Sequence, residues 1–300
     1  MENRHFDLDR EQTAAVSGLL DGQVAVITGA GRGLGRAYAL AYSREGAAVV
    51  VNDVDAGSAA GVVDEIVGAG GRAAASPDSV ATPPGAAAIV DSALEHFGRL
   101  DVMITNAGAD RRGPVLDLTA EDWEFTLGTH LFGMIHCSVA AGRAMRHQAE
   151  GGVIVNITSG AFYAGVPQLA PYGVAKGGIY GLMRALAVEL APFGIAVNGV
   201  APPMTATPPV LAYLEQLADV GVPPDQVALL RDAMPQPEDV AAITVFLATE
   251  AGRRLSGQLF TMTKNELTVI SPPSDAGTVT APGPAWTLAD LSAAIATLPM

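Results

Sequence analysis

The sequence predicts a protein of the α/β class with a doubly wound parallel sheet. Short β-branched segments that are almost continuously apolar alternate with longer helical segments along most of the chain. Strands without a polar face are typical of parallel sheets that helices cover on both sides. Apolar residues make up 49% of the 300 residues, so the chain can bury a large core. Its length and alternation favour one domain with short extensions.

Seven strands and six helices follow from this alternation. The β-branched and apolar segments place strands at 24–28, 48–52, 72–75, 102–105, 153–158, 195–200 and 259–263. The stretches between them place helices at about 34–45, 57–69, 83–97, 119–147, 171–192 and 237–249. The prediction is therefore a seven-stranded parallel sheet with helices on both faces.

The domain organisation follows from the segments that break this pattern. Residues 1–21 are a polar N-terminal extension, 22–264 form the dinucleotide-binding and catalytic domain, and 265–300 form a C-terminal tail. Within the domain, 203–237 is rich in proline and contains an amphipathic run. Such an insert after a strand's carboxyl end is typical of a lid over a ligand crevice, although a plain surface excursion also fits. In the tail we expect a short helix over 286–298.

Composition excludes several classes of function. The formal net charge of −14 argues against binding to nucleic acid, which requires clustered basic residues. No secretory signal and no apolar run of about 18 residues is present, so we expect a cytoplasmic protein without membrane contact. Cys137 is the single cysteine and the histidines lack zinc-ligand spacing, so we expect neither a disulfide nor a metal site.

A glycine-rich loop connects the first strand to the first helix. Glycines let the backbone approach a pyrophosphate closely, and the helix N-terminus supplies free N–H groups and a favourable dipole. Strand before and helix after make the loop a specific signal for a dinucleotide, whereas an incidental flexible turn is the alternative. The predicted cofactor-binding residues of this loop are Gly29, Gly31, Arg32, Gly33, Leu34 and Gly35.

The end of the second strand indicates which dinucleotide binds. Asp53 follows this strand, and a carboxylate there can accept hydrogen bonds from the adenosine ribose while repelling a 2′-phosphate. Arg32 favours NADP instead, because an arginine in the loop can bind that phosphate. We therefore predict NAD as the cofactor, with NADP as the alternative.

Two further strand ends carry small polar residues. Asp78 and Ser79 follow the third strand and are predicted to contact the adenine, although Asp78 can equally cap the next turn. Asn106, Ala107 and Gly108 follow the fourth strand, where a turn of small residues leaves room for a ribose.

Three residues in the second half predict proton transfer. Tyr172 and Lys176 stand four residues apart on one predicted helix, and Ser159 lies thirteen residues before the tyrosine. A tyrosine hydroxyl is a poor base at neutral pH unless a fixed positive charge stabilises its phenolate. The i, i+4 spacing places the ammonium on the same helix face as the ring. A surface tyrosine and a solvated lysine remain the alternative for this pair alone.

Together these motifs resemble the classical short-chain dehydrogenase/reductase family, in order and spacing, over about 22–263. The resemblance implies a Rossmann-type domain in which Tyr172 is the general acid/base. It implies that Lys176 lowers the tyrosine pKa and holds the nicotinamide ribose, and that Ser159 positions the substrate oxygen. The turn at 106–108 would line the cofactor. Further contacts with the cofactor are implied at Pro202, Thr205 and Thr207.

The chain departs from the family pattern at two places. The family usually has a relay asparagine on the long fourth helix, and this chain has His130 there. A helical imidazole is often a structural residue, yet it can also carry protons near neutral pH. Elsewhere the family has Pro-Gly after the sixth strand, where this chain has Pro202 and Pro203. Because proline lacks an N–H, a backbone contact there is altered.

A narrower resemblance comes from the segment around His130, the Asp53 strand end and the tail with Trp286. It is to the (3R)-hydroxyacyl-CoA dehydrogenase domains of the peroxisomal multifunctional enzymes of type 2 and their bacterial counterparts. Beyond the Asn-Ala-Gly turn, Arg111 and Arg112 lie at the predicted rim of the crevice. Solvated surface arginines are the common case, and contact with a CoA phosphate or a substrate carboxylate is the alternative.

The predicted function is an NAD-dependent enzyme that interconverts a secondary alcohol and a ketone, with a 3-hydroxyacyl-CoA type substrate. A steroid or other bulky alcohol is the alternative, because the lid segment is apolar. A catalytically silent dinucleotide sensor is an alternative of another class, favoured only by His130 and Pro203. The family resemblance also suggests a homotetramer or homodimer that acts on a small molecule.

Overall fold

The centre of the molecule is a sheet of eight strands in the order β3-β2-β1-β4-β5-β6-β7-β8. We describe a computed structural model, which covers residues 18–219, 222–275 and 277–297. Strands β1 to β7 pair in parallel. The strands are β1 Val24–Thr28, β2 Ala48–Asn52, β3 Arg72–Ser76, β4 Val102–Thr105, β5 Gly152–Ile157, β6 Ile195–Val200, β7 Leu259–Met262 and β8 Leu267–Ile270. The predicted α/β fold is confirmed, with one more strand than expected.

Helices connect the parallel strands. They are α1 Gly33–Arg44, α2 Ala56–Gly68, α3 Pro83–Phe97, α4 Ala120–Leu127, α5 Gly133–Met145, α6 Ala161–Ala164, α7 Ala170–Glu189, α8 Pro208–Asp219, α9 Pro224–Ala233, α10 Pro237–Ala248 and α11 Leu288–Ile295. The helix predicted over 119–147 is instead α4 and α5, joined by a π-helical turn at Gly128–Phe132. The segment at 203–237 contains α8 and α9, where only an amphipathic run was expected.

The core lies on both faces of the sheet. Successive residues of a strand point to opposite faces. On β2, Val49 and Val51 therefore join one buried cluster with α1 and α10, while Ala48 and Val50 join another with α3, α5 and α7. Cys137 on α5 is part of the second cluster, and burial raises the pKa of its thiol to about 12. The thiol is thus a packing group of the core.

The chain forms two units, Met1–Val269 and Ile270–Met300. The first contains the helices that cover the sheet, and the second contains α11, whose N-terminus is capped by Thr287. Across the described ranges there is neither a helix able to cross a membrane nor a group of three His, Cys, Asp or Glu residues that could hold a metal ion. The predicted N-terminal extension lies almost wholly outside the described residues.

The sheet topology determines where a ligand can bind. β1 lies between β2 and β4, so the connections that follow β1 and β4 leave the sheet in opposite directions. In open α/β sheets this switch point opens a crevice at the carboxyl ends of the strands. The glycine loop, the Asn-Ala-Gly turn and Ser159 all follow strands at this edge.

Candidate active site

The turn between β1 and α1 packs directly against the turn after β4. A Cβ on Gly29, whose φ is +63°, would lie 2.8 Å from the Cα of Ala107. A Cβ on Gly35 would lie 2.2 Å from the carbonyl oxygen of Gly29. The hydroxyl of Thr28 accepts hydrogen bonds from the backbone N–H groups of Asn106 and Ala107, at 2.9 and 3.0 Å. Only glycine fits such close backbone contacts.

The N-terminus of α1 has free donors. Its N-cap residue, Arg32, makes no capping hydrogen bond with its side chain. By contrast, Asp55, Thr82 and Thr119 cap α2, α3 and α4 with their side chains. The first N–H groups of a helix without a side-chain cap can bind an anion, and the helix dipole favours negative charge there. This end of α1 therefore fits a pyrophosphate.

Asp53 lies beside the glycine loop, as predicted from its place after β2. Its two carboxylate oxygens accept hydrogen bonds from the backbone N–H groups of Gly31 and Asp55, both at 3.1 Å. The carboxylate is therefore held in place, with further acceptor capacity for a ribose diol. Arg32 is exposed. Its charge is the weakest influence on the pKa of Asp55, which is lowered mainly by hydrogen bonds from Ser58.

The remaining predicted cofactor residues of this half follow β3 and β4. The side-chain amide of Asn106 donates to the carbonyl oxygens of Thr28 and Gly29, at 2.9 and 3.2 Å. The Asp78 carboxylate accepts from the Ser76 hydroxyl at 3.0 Å. Ser79 is exposed, and its hydroxyl accepts from the N–H of Ala81 at 3.3 Å. These groups border the same edge of the sheet.

Ser159, Tyr172 and Lys176 lie together beyond β5. The Ser159 side chain lies close enough to Tyr172 to lower the pKa of the tyrosine hydroxyl. Tyr172 and Lys176 stand one turn apart on α7, and the lysine Nζ lies 5.3 Å from the centroid of the tyrosine ring. Lys176 is only 3% exposed, and its Nζ donates to the carbonyl oxygen of Ile157 at 2.8 Å. The structure thus brings together the three residues predicted from their spacing.

The charges at this trio differ from the expectation. Burial raises the pKa of Tyr172, and the nearby Ser159 side chain opposes this rise only in part. Burial also lowers the pKa of Lys176 to about 7. The amine lies over the ring and donates to a backbone carbonyl oxygen, and Lys176 is not among the groups that shift the pKa of Tyr172. That Lys176 lowers the tyrosine pKa stays a prediction.

His130 lies against Tyr172 from the π-helical turn between α4 and α5. Its ring meets the tyrosine ring edge-on, with the centroids 5.1 Å apart, and it is 6% exposed. A Cβ on Gly108 would lie 2.0 Å from its Cε1, so glycine at 108 makes room for the ring. Neither ring nitrogen has a hydrogen-bond partner among the described residues. Burial, and then the charge of Lys176, lower the pKa of His130 well below its usual value, so the imidazole is neutral.

The segment after β6 approaches the glycine loop. A Cβ on Gly33 would lie 3.4 Å from the Cγ2 of Thr207, so Thr207 faces that loop. Thr205 is buried, and its hydroxyl donates to the carbonyl oxygen of Pro203 at 2.8 Å. Of the two predicted threonines, Thr207 lies next to the loop, whereas the hydroxyl hydrogen of Thr205 is used inside its own turn. Pro202 follows the buried end of β6 after one intervening residue, Ala201.

Of two charged residues that influence the site, Arg112 was placed at the rim of the crevice from the sequence, whereas Asp110 was not assigned. Asp110 and Arg112, in the loop after β4, both influence the pKa of Tyr172, and Asp110 also influences that of Lys176. The signal that could have identified them is their position a few residues after the Asn-Ala-Gly turn. Their opposite charges are equally typical of a solvated loop.

The comparisons with known proteins identify the family. The family model described as short chain dehydrogenase matches residues 23–216. The chain belongs to this family. A putative short-chain type dehydrogenase/reductase of Mycobacterium tuberculosis is 40% identical over 237 residues, which are 76% of this chain and 78% of the relative. A hydroxyacyl-CoA dehydrogenase of the same organism is 35% identical over 288 residues, 92% of this chain and 88% of the relative.

The narrower resemblance is confirmed at moderate identity. The peroxisomal multifunctional enzyme type 2 of Mus musculus is 36% identical over 240 residues, 77% of this chain but only 30% of that longer protein. Two solved structures are similar at 32% identity. A short chain dehydrogenase from Mycobacterium avium matches with a TM-score of 0.81, covering 93% of this chain and 95% of that one. A 7α-hydroxysteroid dehydrogenase complexed with NADH and 7-oxo glycochenodeoxycholic acid matches with a TM-score of 0.73, covering 83% and 96%.

The chain is therefore a short-chain dehydrogenase/reductase, an oxidoreductase that acts on CH–OH groups, as predicted. Enzymes of this family use NAD or NADP and act on small molecules. The fold is that of the family's solved members.

Proposed function

We propose that the protein interconverts a secondary alcohol and a ketone with NAD(H), and that a 3-hydroxyacyl thioester is its substrate. The proposal is carried by two observations: Ser159, Tyr172 and Lys176 come together beyond β5, and the N-terminus of α1 after the glycine loop has no side-chain cap. The two features meet the two needs of the reaction, since one handles the proton and the other holds the cofactor.

Tyr172 is the proposed proton donor and acceptor. A nicotinamide cofactor held by the glycine loop would supply the hydride chemistry, while the side chains orient the substrate oxygen and transfer its proton. Because burial raises the pKa of Tyr172, the hydroxyl is protonated at neutral pH. A protonated phenol can donate to a ketone oxygen at once, whereas alcohol oxidation first requires its deprotonation. We therefore expect reduction to be favoured near pH 7, with Ser159 holding the carbonyl oxygen.

Lys176 and His130 complete the proposed proton path. Lys176 has a pKa of about 7, so it can gain or lose a proton at physiological pH. His130 is neutral, touches the tyrosine ring and has two nitrogens that no described residue uses. A purely structural buried histidine would have its nitrogens hydrogen-bonded. We therefore infer that His130 takes the place of the family's relay asparagine and carries protons between Tyr172 and the surroundings.

NAD is the proposed cofactor rather than NADP. The Asp53 carboxylate is fixed beside the glycine loop by two backbone N–H groups. A carboxylate held there accepts hydrogen bonds from ribose hydroxyls and repels a 2′-phosphate. Arg32, the feature that favours NADP, is exposed. The other proposed cofactor contacts are Gly29, Gly31, Gly33, Leu34, Gly35, Asp78, Ser79, Asn106, Ala107, Gly108, Tyr172, Lys176, Pro202, Thr205 and Thr207.

The substrate class rests on the relatives and on the lid. The relatives include a hydroxyacyl-CoA dehydrogenase that aligns with 92% of this chain. A bulky alcohol such as a steroid is the second candidate, because a solved relative is a hydroxysteroid dehydrogenase. It is also supported by the apolar lid, in which Leu214 of α8, Val227 of α9 and Met234 form a buried cluster. The order of preference follows the wider coverage of the hydroxyacyl-CoA relative.

We also infer a homotetramer or homodimer that uses α5 and α7. Val174 and Val188 on α7 are 52% and 75% exposed, and Phe132 beside α5 is 50% exposed. Large exposed apolar side chains on neighbouring helices suit a symmetric interface. Sedimentation velocity tests the inference, and a single monomeric species at micromolar concentration would contradict it.

A substrate panel with one matched pair of variants tests the function. Hydroxyacyl-CoA thioesters, steroids and simple secondary alcohols, each with NAD and NADP, are followed by the absorbance of the reduced cofactor. We expect Tyr172→Phe to lower kcat by a factor of about a hundred or more, while NADH binding, measured by fluorescence, persists. Tyr180→Phe removes a hydroxyl from the same helix, where the ring stacks on Phe162 at 5.0 Å, and should remain active. Substantial turnover by Tyr172→Phe would overturn the assignment.

A further inference from the structure

Arg112 bridges the two sides of the crevice. Its Nε donates to the Oδ2 of Asp110 at 2.9 Å, within the loop that follows β4. Its guanidinium carbon lies over the ring of Tyr213 on α8, with Cζ 5.1 Å from the ring centroid. One hydrogen bond and one cation–π contact therefore hold the group between this loop and the lid.

The terminal nitrogens of this guanidinium remain available. Among the described residues, the hydrogen bonds and ion pairs of Arg112 involve its Nε alone. The side chain is 42% exposed and that of Asp110 is 25% exposed, so the pair borders open space rather than the core. This loop lies next to the segment that leads into α7, because the backbone N–H of Gly113 donates to the carbonyl oxygen of Gln168 at 3.1 Å. Both charged residues also influence the pKa of Tyr172, Asp110 upward and Arg112 downward. The free donors thus lie beside the start of the helix that carries Tyr172.

The charge of the pair selects what these donors can bind. The Asp110 carboxylate balances the guanidinium and would repel an anionic group placed beside it. A neutral oxygen acceptor is not repelled, and it still gains a hydrogen bond from a charged donor. In a 3-oxoacyl thioester the second carbonyl oxygen lies one methylene away from the reacting ketone. A side chain close to Tyr172 is therefore suited to bind that oxygen.

We propose that Arg112 is a specificity-determining residue, whose terminal nitrogens donate to the thioester carbonyl oxygen of the substrate. This inference rests on the hydroxyacyl substrate of the proposed function. Asp110 is a positioning residue, because it fixes the guanidinium through Nε. Tyr213 supports the same orientation from the lid.

The neighbouring arginine provides a matched control. The guanidinium carbon of Arg111 lies 4.3 Å from the centroid of the Phe125 ring on α4, away from Asp110 and Tyr213. Its backbone N–H donates to the hydroxyl of Thr126 at 3.0 Å. Arg111→Gln and Arg112→Gln remove the same charge from adjacent positions. A difference in kinetics between the two variants therefore reports a specific contact of Arg112, because the loss of one positive charge is common to both.

The experiment measures NADH-dependent reduction of three ketones by the full chain and its variants. The ketones are 3-oxobutanoyl-CoA, the N-acetylcysteamine thioester of the same acid, and 2-heptanone, which lacks a second carbonyl. We expect Arg112→Gln to raise KM for both thioesters about tenfold, with kcat changed less than about threefold and little effect on 2-heptanone. Arg111→Gln should leave all three unchanged, and thermal melting checks that each variant is folded.

Each other outcome overturns the proposal in a distinct way. A defect with the CoA thioester alone would assign Arg112 to a CoA phosphate, and an equal defect with 2-heptanone would assign it to the lid or to Tyr172. Unchanged thioester kinetics would remove Arg112 from substrate binding while the proposed function stands. If the wild-type protein reduces neither thioester, the hydroxyacyl substrate is wrong and the proposal for Arg112 fails with it.

Discussion

The cofactor side and the reaction side of the crevice are built in different ways. On the cofactor side, backbone packs on backbone: a Cβ at Gly35 would collide with the Gly29 carbonyl, and Thr28 ties the two turns together. On the reaction side, the defining groups are buried titratable side chains, Lys176 and His130, held at a cost in solvation. The backbone packing on the cofactor side leaves no room for an added atom. The buried titratable groups on the reaction side are available for proton transfer but lower the stability of the fold.

Gly35→Ala tests the cofactor side and should have the largest effect. The added methyl would lie 2.2 Å from the Gly29 oxygen and 2.8 Å from the side-chain amide nitrogen of Asn106, so the loop must move. We expect NADH affinity to fall about a hundredfold or more, as measured by fluorescence titration. Gly61→Ala on α2 is the matched control, because a Cβ there meets nothing within 4 Å. If Gly35→Ala binds NADH within threefold of the wild-type affinity, the glycine loop accommodates an added methyl. The cofactor side would then not be more tightly constrained than the reaction side.

Gly108→Ala tests the reaction side through His130. The new methyl would overlap the imidazole, whose Cε1 lies 2.0 Å from the ideal Cβ position, and would displace the ring from Tyr172. We expect kcat to fall about tenfold while NADH affinity changes less than threefold. In a His130→Ala background the same substitution should have little further effect, because the group it displaces is gone. A loss confined to NADH affinity would show that the added methyl acts only through the proposed cofactor contact of Gly108 and not through His130.

The sequence was sufficient for the features that local chemistry determines. The strand at 24–28 and the glycine loop were predicted because β-branched runs and glycine spacing report backbone conformation directly. The proximity of Tyr172 and Lys176 followed from helical periodicity. Their pKa values did not follow, because these depend on burial and on the bond from Lys176 to Ile157, which only the tertiary structure supplies.

Other features were missed because their signals are weak. Gly128 and Gly133 flank the π-helical turn that presents His130, and two glycines in a long helix could have indicated an irregularity. β8 was missed because its residues are mostly exposed and lie within a predicted tail. Helices α8 and α9 of the segment 203–237 begin at proline residues, which were interpreted as loop signals although proline is also common in the first turn of a helix.

Lys176→Met tests the reaction side through the free energy of unfolding, and its expected effect is the smallest of the three. In the folded protein the pKa of Lys176 is about 7, whereas the ordinary value of 10.5 applies to the unfolded chain. Between these two pH values the unfolded chain binds a proton that the folded protein does not, so wild-type stability from this group rises with pH across that window. Near pH 7 the full cost of burying the amine is present, and methionine removes it while losing the hydrogen bond to Ile157. We expect the variant to be inactive yet more stable at pH 7, by on the order of 2 kcal/mol in the free energy of unfolding.

Urea unfolding of both proteins at pH 7, 8 and 9 measures this effect, and the advantage of the variant should shrink as the pH rises. Lys264→Met is the control, since Lys264 is exposed and is the only other lysine in the sequence. A destabilised Lys176→Met variant, or an advantage that grows with pH, would contradict a solvation cost at this lysine. The reaction side would then be held together as tightly as the glycine loop, and the contrast between the two sides would be one of composition rather than of energy.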